Sequence, residues 1–237
     1  MFRDFVNILR NDDIRIRLMI FVIGFAPIAS LSLSAFGLVP LHVSGPMVVF
    51  PAAVGALIIG STAPRYASTL LRGFLLGVSA VFLYDLTCRF PFMFAGLWPD
   101  FIPKIGNYLL HRDNVHWSVG YLWRYIGNGG GMGLAFYAIY PLFNARIKAR
   151  AINVGVFYGI TIFACALVTI YCSPAGRIYL FDPTLLTAIF GFMGHVVFGY
   201  VLGYGAKHYP DQVFLMPVHL QQPRSSMAQQ ITNIAGD

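Results

Sequence analysis

The chain has 237 residues, of which 57% are hydrophobic and 11% are charged, and its mean hydropathy is +0.68. Its net charge of +7 arises from 16 Lys and Arg against nine acidic residues, all of them Asp. No soluble fold of this size needs such an apolar composition. The sequence therefore argues against a soluble enzyme and predicts an all-α, polytopic transmembrane helix bundle.

Six long apolar runs predict six membrane spans, because a hydrocarbon core about 30 Å thick needs about 20 apolar residues per helix. Barrel strands would alternate apolar and polar residues over about 10 positions, and these runs do not alternate. The first run is too long for a signal peptide, so we expect it to be retained. The predicted spans are 18–39, 47–63, 66–88, 125–143, 151–173 and 183–206.

One membrane domain, residues 18–206, accounts for most of the chain. Residues 1–17 are predicted to form a cytoplasmic or interfacial segment, and residues 207–237 a polar tail. Eleven basic residues fall on the side that holds both termini and five on the other, with Arg146, Lys148 and Arg150 in one tight turn. Because cytoplasmic loops carry the excess of Lys and Arg, we predict cytoplasmic termini in a bacterial inner membrane. This placement explains the basic charge without nucleic acid as a partner.

The longest predicted loop, residues 89–120, is rich in aromatic residues. It is too apolar to be a free solvent loop, and we expect it to pack on the outer mouth of the bundle or in the membrane interface. Its prolines Pro91, Pro99 and Pro103 are expected to interrupt any long helix.

Four pairs of glycines recur at the spacing i, i+4. Such pairs let two helices approach closely, which is how helices associate in lipid. We predict packing within the chain, with contacts to other subunits as the alternative. The pairs are Gly73 and Gly77, Gly129 and Gly133, Gly155 and Gly159, and Gly199 and Gly203.

The glycine-rich run 127–133 resembles a phosphate-binding loop at first sight. It lacks the strand and the soluble βαβ unit that such a loop requires. Helix packing, or a local loosening of the helix, is the favoured interpretation. A broken helix that offers carbonyl groups to an ion is the alternative.

Asp85, Arg124 and His195 lie within or at the ends of predicted spans, where an ionisable group is costly. Asp85 is near the outer end of the third span, and we expect it to pair with Arg89 or Arg124. His195 is flanked by Gly191 and Gly199, which predicts a hydrogen bond across the glycine seam. The alternative is a polar path formed by Asp85, Arg124 and His195, since ionisable groups in a membrane are functional candidates. Axial haem ligation is disfavoured because no second intramembrane histidine occurs.

Metal and disulfide sites have sparse candidates. His111, Asp113 and His116 in the outer loop could begin a metal site, with His42 as a further ligand, but the spacing differs from that of zinc-binding helices. Cys88 and Cys172 both fall at outer helix ends, where an oxidising compartment would allow a disulfide. We favour three free thiols, with Cys165 buried inside its span.

Several residues in the second half of the chain, most of them small, form a recognisable pattern. The positions concerned are Gly133, Tyr140 and Pro141, then a basic turn, Gly155, Gly159, residues 172–176, residues 194–199, Leu202 and Gly203. Through them, residues 125–206 resemble the uncharacterised YagU-like family of bacterial inner-membrane proteins. The resemblance implies a polytopic inner-membrane protein and carries no assigned chemistry.

The sequence contains no Ser/His/Asp triad, CxxC pair, paired carboxylates or H-x-E zinc motif. We therefore expect a non-enzymatic accessory or scaffold subunit of a membrane assembly, without a cofactor. It would contact other subunits, or a second copy, through its glycine pairs and aromatic loop. One alternative is a small transporter or channel for an ion, a proton or a small solute. A further alternative is a metal-dependent or redox membrane enzyme that uses the outer histidines.

Overall fold

The structure is a computed structural model that describes residues 12–147 and 150–209, without the side chains of residues 143–147. Within these residues the chain forms eight helices and no strand. The helices are α1 (Asp12–Ala35), α2 (Leu41–Thr62), α3 (Pro64–Phe94), α4 (Ile102–Leu110), α5 (117–147), α6 (Ala151–Cys172), α7 (Gly176–Tyr179) and α8 (Leu185–His208). Most of the predicted N-terminal segment, nearly all of the polar tail, and Lys148 in the basic turn lie outside the described residues.

Five of the helices, α1, α2, α3, α6 and α8, are long and apolar enough to cross a membrane. The prediction of an all-α, multi-pass membrane protein is confirmed. Helix α5 is as long and contains the fourth predicted span but is not among these five, so the count of six spans stays a prediction.

Helix α5 lies at the centre of the bundle. All ten residues from 129 to 138 are buried, and this stretch packs against α1 and α3. Gly131 lies against Gly24 of α1 so closely that a Cβ on either residue would overlap the carbonyl oxygen of the other. Helix α8 packs against α3 and against α6, and α2 packs mainly against α1.

The long helices are antiparallel and define two ends of the bundle. The loop end carries residues 95–116, together with the connection from α6 to α8. The turn end is where α2 meets α3 and α5 meets α6. Tyr66 bonds Asp13 at the turn end, and Gly205 of α8 packs against Leu76 of α3. The described chain therefore begins and ends at the turn end.

Several helix boundaries differ from the predicted ones. Helix α1 spans residues 12–35 instead of 18–39, because Gly37, with φ of +72°, turns the chain after Ala35. The Gly37 amide donates to the Ser34 carbonyl, which satisfies part of the helix end. Helix α8 begins at Leu185, where Thr184 and Thr187 form a reciprocal capping box.

The expectation that Pro91 interrupts the helix is wrong, since α3 continues through it to Phe94. A π-helical segment, Asp85–Arg89, ends two residues before this proline, and another, Gly45–Val49, ends two residues before Pro51 in α2. Proline clashes with the carbonyl four residues earlier, and that residue lies in the widened turn in both cases. The π segments thus let both helices continue.

A third π segment, Trp123–Gly130, widens α5 over most of its glycine-rich run. The helix remains continuous there, so the run is locally loosened and not broken. Gly127, Gly129 and Gly130 are buried in it.

The predicted outer loop forms a compact cap on the loop end. Helix α4 and the first turns of α5 form a helical hairpin in which Gly106 contacts Gly120 and Gly120 contacts the Ile102 carbonyl. Trp98 is 3% exposed and packs against Phe181, which precedes α8. The structure thus agrees with the prediction that this loop packs on the end of the bundle.

Candidate functional site

The four glycine pairs pack against one another within the chain. Gly73 and Gly77 of α3 face Gly129 and Gly133 of α5, and a Cβ at Gly133 would overlap the Gly73 carbonyl. The second seam joins α6 to α8 in the same way.

In that second seam, Gly155 lies against Gly199 and Gly203, and Gly159 lies against the His195 carbonyl. Both seams bring backbone against backbone, so neither leaves room for a helix of another subunit. The structure thus contains the packing within the chain that the sequence favoured for these glycines.

A buried ionic cluster, the Asp85 cluster, lies inside the bundle toward the loop end. We define it as Asp85, Arg89, Asp100, Tyr121, Arg124 and Tyr125. The two π segments of α3 and α5 supply four of its members: Asp85 and Arg89 from α3, Arg124 and Tyr125 from α5. π turns are frequent at functional sites because they re-aim side chains out of the regular helical positions.

Asp85 is fully buried and makes two parallel hydrogen bonds with Arg124. Arg124 Nε donates to Asp85 Oδ2 at 2.7 Å, Nη2 donates to Oδ1, and the Tyr125 hydroxyl donates to Oδ2 at 3.0 Å. Arg89 Nη1 is 3.5 Å from the same Oδ2. Asp85 thus pairs with both of the arginines considered from the sequence.

The second carboxylate, Asp100, ties the cap to this cluster. It pairs with Arg89, accepts a hydrogen bond from the Tyr121 hydroxyl at 3.1 Å, and accepts another from the Ile102 amide at the start of α4. The Arg89 guanidinium is surrounded by the rings of Phe90, Phe101 and Tyr121, whose centroids are 5.5–5.8 Å away. Two arginines and two aspartates leave the cluster with no formal net charge.

His195 bonds within its own helix, so the prediction of a bond across the seam is wrong. Its Nδ1 is 2.7 Å from the carbonyl oxygen of Gly191, four residues earlier. The imidazole lies edge to face against Tyr84 at 5.2 Å between centroids. Arg124 covers the Tyr84 ring at 4.9 Å. Tyr84 therefore lies between the Asp85 cluster and His195, and the structure brings Asp85, Arg124 and His195 into one neighbourhood.

The candidate residues His111, Asp113 and His116 are not arranged as a metal-binding site. Among the described residues, no three His, Cys or Asp side chains are close enough to hold a metal ion. The His111 ring lies 4.3 Å from the His42 ring between centroids, tilted by 40°, whereas the His116 amide donates to the Asn107 side chain. Nearby, burial and the Tyr179 hydroxyl raise the pKa of Tyr108 above its ordinary value.

The three cysteines are free thiols. Cys88 is buried in the π segment of α3 and Cys172 is exposed at the end of α6, so the two are not bonded. The prediction that Cys165 is buried is wrong. The face of α6 that packs on the bundle carries Gly155, Tyr158 and Ile162, and Cys165 lies outside it.

Sequence reasoning missed four members or neighbours of the ionic cluster: Asp100, Tyr121, Tyr125 and Tyr84. Tyr121, Tyr125 and Arg124 could have been linked by their helical spacing, which places polar groups on one side of α5. Nothing in the sequence connects Asp100 to Arg89, because that contact depends on the fold of the cap. A second buried arginine, Arg17, pairs with Asp13 at the turn end and was also not anticipated.

The comparisons with known proteins add no relative. A scan against protein-family models and searches of curated proteins and of solved structures found no match to this chain. The resemblance of residues 125–206 to the YagU-like family stays a prediction. The geometry of the bundle itself is therefore the guide to function.

Proposed function

We propose that the protein is a non-enzymatic accessory or scaffold subunit of an assembly in a bacterial inner membrane, with both termini in the cytoplasm. The antiparallel arrangement supports this orientation, because the described chain begins and ends at the turn end, beside the basic turn at Arg150. The excess of basic residues on that side favours the cytoplasm.

The closed Asp85 cluster is the observation that carries the proposal. All four carboxylate oxygens of Asp85 and Asp100 already accept bonds from arginine or tyrosine side chains. The two arginines neutralise both carboxylates, so the cluster offers no unpaired negative charge to a cation or to a substrate proton. The cluster fixes the cap and α5 to α3, which is what a rigid structural subunit requires.

The surface available to a partner differs from the one expected from the sequence. The glycine pairs pack against one another inside the chain, so they are not available for contact with another subunit. Helix α2 does offer a surface to a partner, because only 17% of its apolar stretch is buried inside the protein, against 44% for α1. Its exposed side chains include Met47, Phe50 and Leu57.

The molecular mass of the protein in a mild detergent tests this proposal. Light scattering after purification should give a protein mass above the 26.2 kDa of one chain, from a second copy or a different subunit. A photo-crosslinking residue at Leu57 should give one discrete protein adduct in cells. The matched control is Phe157 of α6, which is exposed to a similar extent and should give none. A monomer without protein adducts at Leu57 would overturn the proposal.

A transporter or channel is the second candidate, favoured by one observation. Arg124, Tyr84 and His195 follow one another in contact, so polar groups continue from the Asp85 cluster to α8. Flux through proteoliposomes tests this candidate with His195→Ala and Asp85→Asn. If both variants fold and keep the flux of the unmodified protein, the polar path is not the mechanism.

A further inference from the structure

The outer surface of α3 and α5 contains an open groove with a volume of ≈ 630 Å³. One wall comes from α3 and the other from the first turns of α5. The lining residues are Val78, Ser79, Phe82, Leu83, Phe90, Tyr121 and Tyr125. Tyr121 stacks on Trp117 and on Tyr125, so the α5 wall is a column of rings.

The polar atoms of the walls are satisfied inside the protein. The Tyr125 hydroxyl donates to Asp85, the Tyr121 hydroxyl donates to Asp100, and the Ser79 hydroxyl donates to the Leu75 carbonyl. A solute or a lipid head group inside the groove would find no free hydroxyl donor on these side chains and would exchange its hydration for a mainly hydrocarbon surface. The occupant of the groove is therefore apolar.

The groove opens on a surface of the bundle that is apolar on both sides. Exposed Leu86 of α3 and exposed Leu122 and Ile126 of α5 flank it. Trp117, which is 55% exposed, marks its loop-end side, and tryptophan is favoured at the level of the head groups. In a bilayer crossed by the long helices, this opening would face the acyl chains of one leaflet.

The form of the groove favours a chain over a helix. Its α5 wall runs only from Tyr121 to Tyr125, about one helical turn, which is a short contact for a transmembrane helix. Sites of about 300–1,000 Å³ are typical of small-molecule ligands. We propose that the groove binds one acyl chain of a membrane phospholipid, whose head group stays outside near Trp117.

Photolabelling with a phospholipid that carries a diazirine on its acyl chain tests the proposal. The protein is reconstituted into bilayers that contain this lipid, irradiated and mapped by mass spectrometry. We expect adducts on Phe82, Leu83 and Tyr125 in excess of those on Val168 and Phe157 of α6, which are at least as exposed. Adducts that follow exposure alone would show ordinary annular lipid and overturn the proposal.

Ser79→Phe places a ring in the groove from an exposed position and should remove the excess of adducts. Thr161→Phe is the matched control, because Thr161 is also exposed and its hydroxyl also bonds the carbonyl four residues earlier. The control should keep the excess, and gel filtration checks that both variants are folded. An excess that persists in Ser79→Phe, or that an equal amount of a polyprenyl phosphate removes, would contradict the assignment to an acyl chain.

Discussion

Helices α2 and α5 both pack against α1, yet they meet opposite surroundings. Helix α2 exposes most of its length and consists almost entirely of apolar residues. Helix α5 is buried along residues 129–138, and its sequence is rich in glycine and carries Arg124 and Asn128. In a soluble protein the more apolar helix would be the more buried one.

The difference follows from the solvent. Lipid is as apolar as a protein interior, so burial in a membrane selects residues that pack closely and groups that bond one another. Glycine contributes little to hydropathy but lets α5 contact α1 and α3 through its backbone. Hydropathy therefore identifies the helices that face lipid, but it does not identify the buried central helix α5.

The largest expected effect comes from removing a charge partner of α5. Asp85→Ala leaves Arg124 and Arg89 buried without their shared carboxylate, which should cost about 3–5 kcal/mol of the free energy of unfolding. An SDS titration in a mild detergent, followed by circular dichroism, measures this loss. Asp12→Ala on α1 is the control, because its ion pair with Arg15 is exposed and should contribute about 0–1 kcal/mol. Equal losses for the two variants would mean that the Asp85 cluster is not buried.

A methyl group in the α3–α5 seam should have the next largest effect. In Gly133→Ala the new Cβ meets the Gly73 carbonyl and the Gly77 backbone, neither of which can rotate away. Overpacking costs about 1–3 kcal/mol in general, and we expect the upper end here. The same titration should show no loss beyond about 0.5 kcal/mol for Gly60→Ala on α2. There the Cβ would meet only a Leu70 methyl group at 3.5 Å.

Truncating an aromatic ring should give the smallest of these differences. Phe136 of α5 is 1% exposed and Phe50 of α2 is 70% exposed. Phe136→Ala should lower the free energy of unfolding by about 2 kcal/mol. The same change costs about 3–5 kcal/mol in the core of a soluble protein. The loss is smaller here because lipid solvates the ring once the helices have separated. In a single chain dissociated from any partner, Phe50→Ala should leave the unfolding midpoint unchanged. A loss as large as that of Phe136→Ala in the single chain would contradict the exposure of Phe50.

Much of the fold could be predicted from the sequence. Apolar run lengths located the long helices, and the i, i+4 spacing of the glycines identified the residues of two close seams but not which pair faces which. The boundaries of α1 and α3 could not be predicted, because Gly37 ends α1 early and a π turn before Pro91 lets α3 continue. These depend on local backbone geometry that residue type alone does not determine.

The candidate site was only partly predictable. The pairing of Asp85 with Arg89 and Arg124 follows from the cost of an isolated charge in a membrane. The role of Asp100 depends on how the cap folds over the bundle, and the bond of His195 to Gly191 depends on a side-chain rotamer. Neither has a signal in the spacing of residues.

The most direct test of the central claim is labelling with a small photoactivated carbene dissolved in the bilayer. Peptide mapping by mass spectrometry would compare α2 with residues 129–138 of α5. We predict heavy labelling on the part of α2 that no partner covers and almost none on the α5 stretch. Comparable labelling of both would contradict a bundle in which the least hydropathic long helix is shielded from lipid by α1 and α3.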